Sequence, residues 1–413
     1  MEQSSSTAPS SAVIVGAGIV GLSTAWHLQE RGLKVTVVDA GRPGSGASWG
    51  NAGWVVPGLV TPLAEPGAWK HGVEGLFRPD APLHIPMQPN PALWHFLARF
   101  ARNMTPSRWR RTAEALVPLC RQADKAFKEM AVEAEIPSVT PAPYAVGFRN
   151  EGDAAHFREH LGELAALGQP LSVGPAAHIP QFSRAITSSL TVLGQGYVDP
   201  GVFVQGLCAA VRRRGGRVLE GWKAVTTAES AKGVQVVSSQ GGVLQADVLV
   251  LASGAWLPRL ARQWGLRVPL QAGRGYSFTV DSAFPLDGPI YLPKERVVAT
   301  PYQDGMRIAG TMEFRSPDGQ LVQARVKSIV AAASPVLHGV DFSSLRDTWV
   351  GSRPVTSDGL PVLGRLRSNR VYAAGGHGMW GVVLGPVSGR LLADSIAEGT
   401  SAPELGALDP LRR

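Results

Sequence analysis

Residues 12–39, AVIVGAGIVGLSTAWHLQERGLKVTVVD, decide the fold of this chain of 413 residues. The apolar, β-branched run AVIVG (12–16) is typical of a buried parallel strand, and KVTVV (34–38) predicts a second strand. Residues 20–31 lie between them and predict a helix that ends at Gly32. A strand, a helix and a strand within about 30 residues predict a βαβ unit, the building block of a parallel α/β sheet.

The turn between the first strand and the helix carries the pattern Gly16-x-Gly18-x-x-Gly21. In such a turn the first glycine allows a tight bend, the second lets the backbone approach a pyrophosphate, and the third allows close helix packing. Asp39 ends the second strand, 39 − 16 = 23 residues after Gly16, where a carboxylate can bind a ribose hydroxyl. The pattern predicts a Rossmann-like dinucleotide site without a 2′-phosphate, and by itself it does not separate NAD from FAD.

Three further glycine-rich segments favour FAD. Glycine accounts for 48 of 413 residues, against about 7% in an average protein, and it gathers in short clusters beside apolar runs. The clusters after Asp39 are GSGASWGNAG (44–53), ASGA (252–255) and GGHGMWG (375–381). Small residues let these segments pass close to a pyrophosphate and an isoalloxazine. The last segment opens a helix whose N-terminal partial positive charge can lie near the flavin pyrimidine ring.

The composition excludes several classes of protein. A hydrophobic fraction of 44% and a mean hydropathy of +0.03 are typical of a globular chain. The net charge is +8, but the 40 basic and 32 acidic residues are spread along the chain, so we expect an ordinary surface, an anionic cofactor and no nucleic acid. Cys120 and Cys208 cannot form a disulfide framework and show no metal-ligand spacing, so we expect no metal site.

The N-terminal segment MEQSSSTAPSS (1–11) predicts a disordered polar tail. It lacks the basic region of a signal peptide, and no apolar run in the chain approaches the roughly 18 residues of a membrane span. We therefore expect a cytoplasmic protein.

Five arginines in one helical region could also place the protein on the inner face of the membrane. They are interleaved with aromatic residues, and the whole group comprises Trp94, Arg99, Phe100, Arg102, Arg108, Trp109, Arg110 and Arg111. Helical spacing puts the aromatic side chains on the buried stripe and the arginines outward. We interpret the arginines as a solvated helix face, with peripheral membrane docking as the alternative.

The rest of the chain alternates between helical and strand patterns. The pattern is helical from Pro91 to about Ala134, with a second helix predicted from about Pro106 to Glu135, and further helices are predicted over 151–168, 201–214, 321–333 and 386–398. Strands are predicted over 143–149, 248–252 and 371–374, and several more between 270 and 315.

From about residue 12 to 399 the sequence resembles the FAD-dependent D-amino-acid dehydrogenases, within the D-amino-acid oxidase and glycine oxidase superfamily. The matching stretches are VIVGAGIVGLSTAWHLQERGLKVTVVD, GASWGNAG, LFRPDAPLHI, GYVDPGVFVQGL, RGYSFTV, ATPYQDGMRIAGTMEF, GSRPVTSDGLPVLGR and AAGGHGMWGVVLGPVSGRLLAD. The resemblance implies an α/β fold (α+β overall) in which a Rossmann-like FAD-binding domain accompanies a substrate domain of β-sheet and helices. It implies an FAD-binding domain made of 12–80, 196–268 and 350–400 and a substrate domain made of 81–195 and 269–349.

The resemblance also implies the residues of the active site. The arginine of the G-x-R-P segment, Arg353, matches the one that binds the substrate carboxylate, and an interdomain salt bridge is the alternative. Tyr276 is expected to bind the carboxylate or line the pocket, with a core tyrosine as the alternative. Trp49, Trp54 and Trp380 are weaker candidates for the pocket wall, with a place in the core favoured for each one, and a catalytic base at His377 is not expected. The residues expected to bind FAD are Gly16, Gly18, Ile19, Val20, Gly21, Asp39, Ala40, Ala47, Ser48, Asn51, Ala52, Gly53, Val225, Ser253, Gly254, Trp256, Gly376, His377, Gly378, Met379, Trp380 and Gly381.

The activity implied by the resemblance is oxidative deamination of a small amino acid, in particular a D-amino acid, by hydride transfer to flavin N5. The electron acceptor is expected to be oxygen or a quinone. FAD is expected to be non-covalent, because the cysteine that sarcosine oxidase relatives carry near the Arg-Pro segment is missing. Two alternatives stay open: an enzyme for secondary or N-methyl amines such as sarcosine, glycine or proline-like substrates, and a non-catalytic flavin subunit for electron transfer.

Overall fold

The computed structural model describes residues 8–66, 75, 78, 81–87, 89–302, 305–399 and 401–412. Most of the predicted tail therefore lies outside the described residues, as do parts of the segment LFRPDAPLHI (76–85). Two large sheets organise the described chain, and smaller sheets flank them. The candidate site lies between the two large sheets.

The elements have the following bounds. The helices are α1 (Ile19–Glu30), α2 (Pro91–Arg102), α3 (Pro106–Glu133), α4 (Glu151–Leu167), α5 (Pro200–Arg213), α6 (Leu257–Ala261), α7 (Gln323–Ala333) and α8 (Gly381–Glu398). The strands of the first large sheet are β1 (Ser11–Val15), β2 (Lys34–Val38), β10 (Arg217–Leu219), β14 (Val248–Leu251), β20 (Val362–Arg365) and β21 (Val371–Gly375). The strands of the second large sheet are β4 (Leu83–His84), β6 (Tyr144–Phe148), β7 (Ser172–Gly174), β8 (Ser188–Leu193), β15 (Leu270–Ser282), β16 (Ile290–Leu292), β17 (Val297–Tyr302), β18 (Gly305–Phe314) and β19 (Val340–Thr356). The small sheets contain β3 (Trp54–Val55), β5 (Thr140–Pro141) and β9 (Gly196–Tyr197), and β11 (Ala224–Ser230), β12 (Gly233–Ser238) and β13 (Val243–Ala246).

The first large sheet has the order β10-β2-β1-β14-β21-β20. β1 pairs in parallel with β2 and β14, and β14 pairs in parallel with β21, so their carboxyl ends meet at one edge. The central strands β1, β14 and β21 are almost entirely apolar because both faces are covered, by α1, α5 and α8 on one side and by α6 and β12 on the other. The predicted βαβ unit is confirmed, and each of its boundaries lies within one residue of the prediction.

Two predicted boundaries are wrong. Ser10 and Ser11 do not belong to a disordered tail, because their hydroxyl and amide groups donate to Asp247 Oδ2 at 2.8–3.0 Å and Ser11 begins β1. The last helix begins at Gly381 and not at Pro386, because the preceding 3-10 turn continues directly into it. Pro386 therefore lies inside α8, where its ring removes one backbone hydrogen bond.

The second large sheet has the order β19-β15-β18-β17-β16-β6-β8-β7, and β4 pairs with β18. β15 pairs antiparallel with β18 and β19. One face packs against α7 in an apolar cluster that includes Tyr276, Phe278 and Ile308. The other face approaches the loop 41–53, where Ser277 Oγ donates to Gly50 O at 2.7 Å. Because this loop follows β2, the contact brings the second sheet to the carboxyl-end edge of the first.

The two large sheets draw on different parts of the chain. Strands of the first lie within 11–38, 217–251 and 362–375, and those of the second within 83–84, 144–193 and 270–356. The predicted domain boundary between residues 349 and 350 falls inside β19, so this strand is shared by the two predicted domains.

Candidate functional site

The glycine-rich turn after β1 is tightly packed at its first and last glycines and open at the middle one. A Cβ at Gly16, where φ is +115°, would lie 2.3 Å from Ala252 O, and a Cβ at Gly21 would lie 1.9 Å from Gly16 O. The nearest atom to a Cβ at Gly18 is Ser48 Oγ at 3.4 Å. The outer glycines are therefore required by backbone packing, whereas the middle one leaves the N-terminus of α1 accessible to a ligand.

Asp39 lies beside this turn at the carboxyl end of β2. Its Oδ2 accepts a hydrogen bond from Ala17 N at 2.7 Å, and its Oδ1 accepts one from Gly41 N at 2.8 Å. An ionised carboxylate offers about four acceptor positions. Both oxygens can therefore accept further hydrogen bonds, such as those from ribose hydroxyls.

Ser48 connects the loop 41–53 to the N-terminus of α1. Its buried hydroxyl oxygen accepts a hydrogen bond from Ile19 N at 3.2 Å. The N-cap residue Gly18 offers no side chain to this helix end, so the partial positive charge of α1 faces the loop. At the end of the loop, Asn51 Oδ1 accepts from Gly53 N at 3.1 Å.

Two other predicted segments reach the same edge, because β14 and β21 lie next to β1. The buried Ser253 Oγ after β14 has no hydrogen-bond partner among the residues that the structure describes. Gly254 and Gly378 both have φ of +55° with no atom within 4 Å of a Cβ, so their backbones face open space. His377 Nε2 lies 2.9 Å from Ser388 Oγ, Nδ1 is buried without a partner, and burial lowers the pKa of His377 to about 4. Such edges are where parallel α/β sheets bind their ligands.

The remaining predicted cofactor residues are distributed around these segments. Val225 is 45% exposed on β11, and Trp256 Nε1 donates to Asp318 Oδ1 at 2.7 Å. Trp380 Nε1 donates to Thr61 O at 2.7 Å. Val20 lies in α1, Ala40 follows Asp39, Ala47 and Ala52 lie in the loop 41–53, Met379 packs with Phe96 and Phe314, and Gly376 and Gly381 flank the His377 segment.

Arg353 lies on β19, with its guanidinium on Gly275 of the neighbouring strand. A Cβ at Gly275 would lie 2.1 Å from Arg353 Cζ, so only glycine leaves room for this position of the guanidinium. Arg353 Nη1 donates to Thr311 O at 3.4 Å, and within the described ranges no carboxylate forms an ion pair with it. Burial lowers the pKa of Arg353 to about 10, so the group stays charged at neutral pH. The described residues thus supply a half-buried cation without a counter-ion.

The sequence analysis missed Trp349, which lies on the same face. Residues 349, 351 and 353 alternate with the residues of the opposite face, as in any strand. A Cβ at Gly351 would lie 2.0 Å from Trp349 Cη2, and one at Gly50 would lie 2.1 Å from its Cδ2. The buried Trp349 Nε1 has no hydrogen-bond partner. The sequence signal that could have indicated Trp349 is the alternation of glycines with large side chains on two paired strands.

Thr311 was also missed. It has φ of +55°, which is rare for a β-branched residue, and it lies where the register of β15 and β18 shifts between Arg274 and Tyr276. This bulge turns its carbonyl toward Arg353, and its buried Oγ1 has no partner. Strained residues of this kind concentrate at functional sites.

Tyr276 does not occupy the predicted position in the pocket. It follows Gly275 by one residue, so its side chain lies on the opposite face of the sheet, in the cluster against α7. Its hydroxyl donates to Glu313 Oε1 at 2.5 Å, and Arg274 Nη1 lies 3.2 Å from the same oxygen. The alternative interpretation, a core tyrosine, is the correct one.

Trp49 and Trp54 pack against the second sheet. Arg307 Cζ lies 5.1 Å from the centre of the Trp49 ring and 4.6 Å from that of Tyr302. Trp54 Nε1 donates to Thr300 Oγ1 at 3.0 Å. Both tryptophans therefore hold the loop 41–53 and the residue that follows it against the second sheet.

The described residues contain neither a metal site nor a membrane-spanning helix. No group of three or more His, Cys, Asp or Glu side chains is arranged to hold a metal ion. Within the same residues, no helix combines the length and the apolar character that crossing a membrane requires.

Comparison with known proteins identifies the family. A family model described as FAD dependent oxidoreductase matches residues 11–395. The chain belongs to this FAD-dependent oxidoreductase family. A protein from Methylobacterium nodulans named D-amino acid dehydrogenase is 30% identical over 422 residues, which cover 96% of this chain and 97% of that protein.

Solved structures show the same fold. Glycine oxidase from Geobacillus kaustophilus aligns with a TM-score of 0.75 at 21% identity, over 97% of this chain and 98% of its own. L-proline dehydrogenase from P. horikoshii aligns with a TM-score of 0.74 at 16% identity, over 98% of each chain. The fold of this FAD-dependent oxidoreductase therefore extends over nearly its whole length.

The residues at the edge of the first sheet fit FAD. The uncapped N-terminus of α1 and the open side of Gly18 suit a pyrophosphate, and Asp39 can accept ribose hydroxyls. Ser253 Oγ and His377 Nδ1 are buried polar atoms that lack partners within the described chain. These residues could hold the cofactor that the family requires.

Proposed function

We propose that the protein oxidises a small amino acid, with D-amino acids as the preferred class. The observation that carries this proposal is the charged guanidinium of Arg353, which has no ion-pair partner in the described chain and lies on the sheet face toward the loop 41–53. A guanidinium donates two parallel hydrogen bonds to a carboxylate and so fixes both its position and its orientation. The relative named D-amino acid dehydrogenase supports this substrate class.

The reaction removes a hydride from the substrate Cα and a proton from its amino group and gives an imine. Water then hydrolyses the imine to a 2-oxo acid and ammonia. FAD, when bound, supplies the two-electron acceptor at N5. Arg353 holds the carboxylate and thereby restricts the orientation of Cα, which lowers the entropic part of the barrier.

The amino group must be neutral when the hydride leaves, and this step needs no protein base. His377 is poorly suited to be one, because burial lowers its pKa to about 4 and its Nε2 lies at hydrogen-bond distance from Ser388 Oγ. We assign His377 and Gly378 to the flavin, Gly18 and Ser48 to the pyrophosphate, and Asp39 to the ribose. Binding is proposed to be non-covalent.

A second candidate function is the oxidation of secondary or N-methyl amino acids. The structural relatives named glycine oxidase and L-proline dehydrogenase have the same fold, and a carboxylate clamp at Arg353 would serve these substrates equally well. A flavin subunit without a substrate pocket is the remaining alternative.

The test is an anaerobic titration of the purified holoenzyme with D-amino acids, L-amino acids, glycine, sarcosine and proline, followed by flavin absorbance. We expect D-amino acids to bleach the flavin at the lowest concentrations. Preferential bleaching by sarcosine or proline would favour the second candidate. An oxidised spectrum with every compound would contradict amino-acid oxidation altogether.

The electron acceptor is proposed to be oxygen or a quinone, with the protein in the cytoplasm. Arg102, Arg108, Arg110 and Arg111 are exposed and Trp94 is 40% exposed, which supports peripheral contact with an anionic membrane surface. If the protein sediments with anionic vesicles but not with zwitterionic ones, and if raising the salt concentration abolishes this sedimentation, the contact is supported. If the protein stays in the supernatant equally with both kinds of vesicle, the contact is contradicted.

A further inference from the structure

Two glycines on neighbouring strands form a floor beneath two large side chains. Gly275 of β15 pairs with Gly351 of β19, so their missing side chains would point to the same face about 5 Å apart. The Arg353 guanidinium covers Gly275, and the Trp349 indole covers Gly351. Glycine weakens a strand interior unless another group must approach closely. We call these four residues the glycine floor and its two covering groups.

Both covering groups retain hydrogen-bond donors that the described chain does not use. Among the described residues, Trp349 Nε1 is buried without a partner, and Arg353 makes one hydrogen bond, the 3.4 Å contact with Thr311 O. Leaving a buried donor unpaired is unfavourable, so the Trp349 N–H requires an explanation. Two unused donors on one side of a sheet, one of them charged, form a site for an anion.

The ring of Trp349 is held in a defined orientation. Its Cδ2 side lies against Gly50 of the loop 41–53, and its Cζ2 and Cη2 edge lies over Gly351. The benzene part of the indole therefore covers the same glycine floor as the Arg353 guanidinium, and Gly50 borders the ring at Cδ2, Cγ and Cε3. Ser277 Oγ, bonded to Gly50 O, holds the loop against the ring.

We propose that the indole N–H of Trp349 is the second donor to the substrate carboxylate, beside Arg353. This role is the one that Tyr276 cannot fill, because the Tyr276 hydroxyl is bonded to Glu313 on the opposite face. The inference rests on the proposed function, since it names a further residue of the same site. Arg353 supplies the charge, and Trp349 fixes which way the carboxylate lies.

Trp109 provides a matched control. Its Nε1 is likewise buried without a partner, but it belongs to the apolar cluster around Leu161 and Leu164. Trp109→Phe and Trp349→Phe each remove one unpaired indole N–H and keep an aromatic ring. If unpaired indoles are merely a packing feature, the two variants will behave alike.

The experiment measures how tightly the holoenzyme binds propionate and n-propylamine, from the change in flavin absorbance. In Trp349→Phe we expect the Kd for propionate to rise about tenfold, because a hydrogen bond to a charged acceptor is lost. The Kd for n-propylamine should change by less than about twofold, and Trp109→Phe should bind both compounds like the wild type. A Kd for propionate within about twofold of wild type in Trp349→Phe overturns the inference.

A second measurement does not depend on that variant folding. In holoenzyme labelled with indole ¹⁵N, propionate should move one indole proton resonance downfield with the same midpoint as the flavin signal, and Arg353→Met should abolish the movement. If propionate perturbs the flavin but moves no indole proton, Trp349 is not the donor. Failure of the proposed function is distinct, because then neither propionate nor any amino acid would perturb the wild-type flavin.

Discussion

The two faces of the strand pair β15 and β19 place their arginines in different surroundings. On the face toward α7, Arg274 Nη1 lies 3.2 Å from Glu313 Oε1, and Tyr276 donates to the same oxygen. On the face toward the loop 41–53, Arg353 has one hydrogen bond to a backbone carbonyl, Thr311 O. Both arginines are part of one sheet, so their difference lies in whether the chain supplies a carboxylate.

This difference separates a structural role from a functional one. A buried charge is tolerated when it is paired, and on the first face the chain itself supplies the carboxylate of Glu313 to Arg274. Within the described chain no carboxylate pairs with Arg353 on the second face, so an anionic ligand can pair with this guanidinium. Variants that remove one partner on each face should therefore lose different properties.

The largest expected effect is on folding, from Glu313→Gln. The variant leaves Arg274 buried without its counter-ion, so the free energy of unfolding should fall by about 3–5 kcal/mol in urea denaturation. The double variant Arg274→Met/Glu313→Leu is the control and should recover much of this loss. If the single variant is as stable as the wild type, the network does not stabilise the first face.

Arg353→Met should impair substrate binding and leave folding stability nearly unchanged, the opposite of what is expected for Glu313→Gln. The loss of the charged clamp should cost about 2–5 kcal/mol of carboxylate binding, or ~30- to several thousand-fold in kcat/KM. Thermal stability should stay close to that of the wild type, because the guanidinium forms no ion pair within the described chain. Steady-state kinetics and thermal unfolding of the same preparation measure both. If Arg353→Met lost much of its stability but kept normal kinetics, Arg353 would have a structural role and not a functional one.

His377 extends the comparison to the cofactor side. Burial lowers its pKa from 6.5 to about 4, so the unfolded chain binds a proton at pH values where the folded chain does not. Stability should therefore fall as the pH falls from about 6.5 to about 4, by up to about 3 kcal/mol. Urea denaturation of the wild type and of His377→Gln across this window should show a part of the pH dependence that only the wild type has. If the free energies of unfolding of the wild type and of His377→Gln change with pH in the same way, His377 is not buried in its neutral form.

The smallest effect is expected from Tyr276→Phe. The variant removes one hydrogen bond to Glu313, and the free energy of unfolding should fall by about 1–2 kcal/mol. KM should change by less than about twofold, since the hydroxyl lies on the face without the substrate. A rise of KM by about tenfold or more would indicate that the Tyr276 hydroxyl contacts the substrate.

The sequence predicted the first sheet much better than the site. The strand 12–16 and the helix 20–31 were each placed within one residue, because an apolar run and a helical stripe are local patterns. The start of α8 was missed because a proline is favoured in the first turn of a helix, yet Pro386 lies further along. Tail residues Ser10 and Ser11 were missed because their partner, Asp247, is distant in sequence.

The site depends on which face of a strand each residue occupies. Residues 272–280 of β15 are all buried, so the sequence pattern does not distinguish the two faces, and Tyr276 was assigned to the wrong one. The role of Arg353 stays a prediction, which the resemblance provides because the arginine lies within the G-x-R-P motif. Trp349 required knowledge of its cross-strand neighbours, which only the register of β15 and β19 provides.

The central claim is that Arg353 binds the carboxylate of an amino acid beside the flavin. Its most direct test is anaerobic flavin bleaching by the same amino acid in wild type and Arg353→Met, each with full FAD content. We predict that the variant needs at least ~30-fold more amino acid for half-reduction, or bleaches correspondingly slowly. Bleaching of both proteins at the same concentration and rate would contradict the claim.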